Sequence, residues 1–125
     1  VTRDEEGAIG EARGRAILAR RFQAAGLELV ADHPITLAGT VILLDGFDPV
    51  RRIGFEYVTT EAGDREELTP EVQGELEARA ARGELCVLLL DENQLMTEAM
   101  LERAADRFLA LALARGVASR SEAGP

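Results

Sequence analysis

The chain has 125 residues, a net charge of −9 and a hydrophobic content of 46%. Those values suit one folded core, exclude a disordered composition, and disfavour a partner held by its phosphates. All 14 basic residues are Arg, so a Schiff base, a P-loop lysine and a catalytic lysine are excluded.

Asp4 to Ala25 reads as a helix, with acids leading and arginines trailing, the order that complements the helix dipole. Gly7, Gly10 and Gly14 weaken its first half, and Gly26 is a stop. Leu27 to Asp32 alternates as a half-buried strand and is interrupted at His33-Pro34. Ile35 to Ala38 continues it or starts another. Thr40 to Asp45 is β-branched and apolar, a buried strand. Gly46 to Pro49 has turn composition, and Arg52 to Thr60 follows as the second arm of a hairpin. Ala62 to Leu68 reads as an exposed loop. Thr69-Pro70-Glu71 starts a helix that ends at Gly83. Leu85 to Leu90 is a six-residue apolar run, expected as an internal strand buried on both faces. A last helix is expected over roughly Gln94 to Arg115, capped by Asp91 or Asn93 and closed by Gly116. The expected order is α-β-β-β-α-β-α. It forms one α+β domain over residues 1–116, built on a mainly antiparallel sheet, with a polar tail at 117–125.

The residue inventory removes several chemistries. Serine occurs only at Ser119 and Ser121, in the tail, so a serine nucleophile on a rigid turn is excluded. His33 and Cys86 are the only residues of their types, too few for a zinc site within one chain. A single cysteine also allows no internal disulfide, which fits a cytoplasmic setting. The N-terminus carries no signal-peptide pattern, and no segment approaches the ~20 apolar residues of a membrane span.

Carboxylates remain. Asp45 ends one strand and Glu56 lies inside the next, so a hairpin sets them at diagonal spacing. With Glu11 from the first helix they could hold Mg²⁺ or Mn²⁺. The simpler alternative makes Asp45 and Asp48 turn residues and Glu56 the solvent-facing member of its strand. The segment Asp45 to Arg52 is the expected recognition loop, with Phe47, Asp48, Arg51 and Arg52 as binding residues. In that reading Phe47 is exposed; the alternative folds it back as a core plug.

The order helix, three strands, helix, strand resembles the core of the PD-(D/E)XK nuclease-like family, in which a strand-borne acid precedes a second acid, any residue, then Lys. The matching positions are Asp45 and, after ten intervening residues, Glu56-Tyr57-Val58, with Glu11 where the family's helical acid often lies. Val58 stands at the Lys position, so the resemblance implies the scaffold more than the activity. The opening is also similar to that of small α+β secretion chaperones.

Met100, Ala104, Phe108 and Leu111 form one stripe on the last helix, and Leu101, Ala105, Leu109 and Ala112 form a second. One stripe suffices to cover a sheet. The surplus predicts an interface through Phe108, Leu109, Leu111 and Leu113, in a homodimer or with another protein, unless the first helix covers it. The function expected is a non-enzymatic binding or scaffold domain without cofactor. A metal-dependent, nuclease-like hydrolase is the alternative.

Overall fold

A computed structural model describes residues 9–59, 67–94 and 97–123, with the backbone alone over 115–123. The elements are α1 (Glu11–Ala24), β1 (Val30–Leu37), β2 (Thr40–Asp48), β3 (Ile53–Val58), α2 (Pro70–Ala81), β4 (Cys86–Asp91), a 3₁₀ turn (Glu92–Gln94) and α3 (Glu98–Ala123). This is the expected α+β order. The expected helix residues before Ile9 and the loop at 60–66 lie outside the described residues.

The sheet has the order β1-β2-β3-β4. β1, β2 and β3 run antiparallel in succession, and β4 lies parallel to β3 after the α2 crossover. Side chains alternate between the two faces, as strand geometry demands. On β3, Ile53, Phe55 and Tyr57 join Ile17, Leu18 and Phe22 of α1 and Leu101 and Ala105 of α3. Val58 joins Leu37, Ile42, Leu44 and Phe47, under Val72 and Leu76 of α2. The sheet therefore lies between two helices on one face and one on the other.

α2 starts as its sequence predicts: Pro70 opens it, and the Thr69 hydroxyl accepts a hydrogen bond from the Val72 amide at 3.2 Å. α1 packs unusually close to β3 because position 14 has no side chain. A Cβ on Gly14 would stand 2.5 Å from the Tyr57 ring. Tyr57 completes the contact by donating its hydroxyl to the Ile9 carbonyl at 2.6 Å. Among the described residues, no helix is long and apolar enough to cross a membrane.

Several expectations need correction. His33-Pro34 does not break β1, because β1 is an edge strand and needs no outward amide at Pro34. Gly46 to Asp48 is not a turn: β2 continues through Asp48 and the chain reverses over 49–52. Leu85–Leu90 is not internal. Its alternate residues do face helices on both sides, but β4 is the last strand of the sheet. The last helix starts at Glu98, with the Thr97 hydroxyl accepting from the Met100 amide. It passes through Gly116 to Ala123. A helix-interior glycine costs only about 1 kcal/mol, and no proline follows until Pro125.

Candidate functional site

The β2–β3 ladder pairs Asp48 with Ile53, Phe47 with Gly54 and Gly46 with Phe55. One step further, Asp45 and Glu56 would be opposite partners, and there side chains take over from the backbone. The Glu56 carboxylate accepts from the Asp45 amide at 2.9 Å, and the Asp45 carboxylate accepts from the Tyr57 amide at 2.7 Å. Each acid thus satisfies an N–H of the neighbouring strand that regular pairing would have satisfied. Gly46 permits the approach just before this point, since a Cβ there would stand 2.6 Å from the Phe55 ring. Both acids are buried, Asp45 at 9% and Glu56 at 1% exposure. The alternative that made Glu56 a solvent-facing strand residue does not hold.

Arg15 follows Gly14 and so inherits the close packing of α1 on the sheet. Its Nε lies 3.4 Å from the Asp45 carboxylate. Its Nη2 lies 3.1 Å from the Asp32 carboxylate, and its Nη1 lies 3.7 Å from that of Glu11. One guanidinium therefore links acids from α1, β1 and β2. Asp32 sits at a left-handed kink of β1, with φ of 51°. Of the three acids expected together, the structure joins Asp45 directly to Glu56, and Glu11 to Asp45 only through Arg15.

A divalent cation, which the three carboxylates offered as an alternative, does not fit this donor set. Mg²⁺ and Mn²⁺ require converging oxygens. Here a guanidinium already stands against Asp45 and Glu11, and the Asp45 and Glu56 carboxylates are turned onto backbone amides. Among the described residues, no group of three potential ligands is arranged to hold a metal. Val58, at the position of the family's Lys, is buried in the core under α2.

The expected recognition segment proves largely internal. Phe47 is 1% exposed, which corrects its reading as an exposed aromatic. Its ring contacts that of His33 at 4.9 Å, and the Arg52 guanidinium lies 5.6 Å from its centroid. The Arg52 Nε also donates to the Glu84 carbonyl. Asp48 is buried and organises the turn. Its carboxylate accepts from the amides of Glu28, Val50 and Arg51, each at 2.9 Å. Burial pushes its pKa up, but those amides and the Arg51 charge outweigh it, and the carboxyl titrates below its ordinary value. Val50 and, partly, Arg51 remain at the surface.

The last helix divides the expected interface set. Leu109 is buried against the first helix's side of the core, so it is not an interface residue. Phe108 is half-buried, its ring stacked at 6.0 Å on Phe22, and Leu113 packs against the same core. Leu111 is 60% exposed and Met100 is 45% exposed. Together with Ala104, Phe108 and Leu88 of β4, they line a shallow groove between α3 and the sheet edge.

Arg15 and Asp32 escaped the sequence reading. The i,i+4 spacing of Glu11 and Arg15 was the only available signal, and it is shared by ordinary surface pairs. Neither a protein-family model, nor a curated protein, nor a solved structure matches the chain.

Proposed function

We propose that this chain is a non-catalytic protein-binding domain, built on a scaffold that resembles the nuclease-like core. One observation carries the reading. The two acids at catalytic-like positions are engaged in holding β2 to β3, and Arg15 supplies positive charge beside them. A carboxylate that serves as a sheet acceptor is poorly placed to bind a reacting group. The exposed apolar side chains of α3 supply the complementary half, because contiguous apolar surface on a folded domain marks an interaction site.

The test is incubation of the purified full chain with DNA and with RNA, in Mg²⁺ and in Mn²⁺. No cleavage above buffer is expected. Cleavage that disappears in Asp45→Asn and Glu56→Gln, with folding intact, would overturn the reading and make the hydrolase its replacement.

A further inference from the structure

The margin of the sheet at β4 combines three features. First, β4 hydrogen-bonds to β3 on one side and to no described strand on the other. Its Cys86–Leu90 stretch carries no proline, no charge and no bulge, three of the devices that protect an edge. Second, the groove beside it is lined by Leu88, Ala104 and Phe108, with Met100 and Leu111 open to solvent. Third, Arg103 and Arg107 rim that groove, and neither forms an ion pair with a described residue. Two acids of α3 are turned the other way: Glu98 binds Arg13 and Asp106 binds Arg21, both on α1. A chain of net charge −9 thus presents a positive rim on its apolar groove.

We infer that this groove docks an extended, acidic segment of another protein, with apolar and acidic residues together on one face, which adds to β4 as a new outer strand. The inference rests on the binding-domain reading above and names its partner class. An added strand satisfies the open backbone groups of β4, while its alternate side chains fall on the α3 face. On that face, apolar residues meet Leu88, Phe108 and Leu111, and acids interspersed among them reach Arg103 and Arg107. A second copy of this chain is a poorer occupant. Twofold pairing of β4 with itself would set the arginine flank of one α3 against the same flank of the other, and like charges across an interface oppose association.

The probe is a fluorescein-labelled extended peptide in which every second residue, on the face turned to α3, is Val or Glu and the residues between are Thr, titrated into the full chain by anisotropy beside its Lys-for-Glu counterpart. The Glu peptide should bind about tenfold or more tightly than the Lys peptide, as charge complementarity requires. That advantage should vanish in the double variant Arg103→Glu, Arg107→Glu, and shrink in Arg103→Gln, Arg107→Gln; circular dichroism checks that both remain folded. Bound peptide should also slow amide exchange across Val87–Leu89. Equal affinity for the two peptides, or an advantage unchanged by the arginine variants, would overturn the inference. So would a homodimer at micromolar concentration that Arg103→Glu, Arg107→Glu dissociates or strengthens. Each of these, without nucleic-acid cleavage, removes the groove assignment and leaves the binding-domain reading standing; metal-dependent cleavage removes that reading itself.

Discussion

The Asp45–Glu56 junction and the β4–α3 groove are opposites. At the junction, charged side chains are buried and bound to the backbone. In the groove, apolar side chains are exposed beside an edge strand. Both depart from the ordinary sorting of residues, and such departures are the informative ones. They point in different directions, however. A buried acid with a backbone partner explains itself by structure, because an amide left without an acceptor costs more than the bond contributes. An exposed leucine beside an edge strand has no such account among the described residues. Residue type therefore misleads about placement: the acids look chemical yet hold backbone amides, whereas Leu111 looks like core yet lies at the surface.

Asp45→Ala should produce the largest effect on the junction side. It orphans the Tyr57 amide and removes the partner of the Arg15 Nε. Loss of an acceptor for a buried donor is worth about 1–3 kcal/mol, so denaturant unfolding should show a destabilisation of about 2–3 kcal/mol. A variant as stable as the wild type would dissolve the contrast.

Asp48 sharpens the comparison through pH. Its folded carboxyl titrates below the unfolded value of about 3.9. Its contribution is therefore fully present above that value and is lost as pH falls through the folded pKa. Asp48→Asn replaces an acceptor oxygen with a donor, facing either the Glu28 amide or those of Val50 and Arg51. A loss of about 1–2 kcal/mol is expected at neutral pH, and the gap between variant and wild type should close in acid, below about pH 4. A gap independent of pH would mean that the charge plays no part.

On the groove side the smallest effect is expected. Leu111→Ser should leave unfolding within about 0.5 kcal/mol of the wild type, as exposed substitutions do. A loss of several kcal/mol would show that Leu111 belongs to the core and that the groove is not a free surface.

Much of the architecture was legible in the chain because it rests on local rules. Thr69-Pro70 starts α2, Gly26 and Gly83 stop helices at positive φ, and the apolar periods mark the strands. The proximity of Asp45 and Glu56 followed from placing them on the two arms of one hairpin. What stayed hidden depends on neighbours distant in sequence. The apolar run at Leu85–Leu90 reports that both faces are covered, yet says nothing of whether a strand lies alongside, so an edge strand read as an internal one. Gly46-Phe47-Asp48-Pro49 has turn composition, but packing of Phe47 beneath α2 and the amides gathered by Asp48 keep its first three residues extended. Leu109 and Leu111 belong to neighbouring stripes of one helix, and only the position of α1 separates the buried one from the exposed one. Arg15 could not be distinguished from other helix arginines without knowing that Gly14 draws α1 onto Tyr57.

The most direct test of the account is the unfolding free energy of Glu56→Ala. Glu56 is 1% exposed, and its carboxylate accepts the Asp45 amide at the point where β2 and β3 leave regular pairing. If its role is to hold the sheet, its removal destabilises the chain by about 2 kcal/mol or more, and amide exchange at Asp45 accelerates. Unchanged stability with unchanged exchange at Asp45 would contradict the account, because a buried carboxylate that supports nothing would then have to be retained for chemistry.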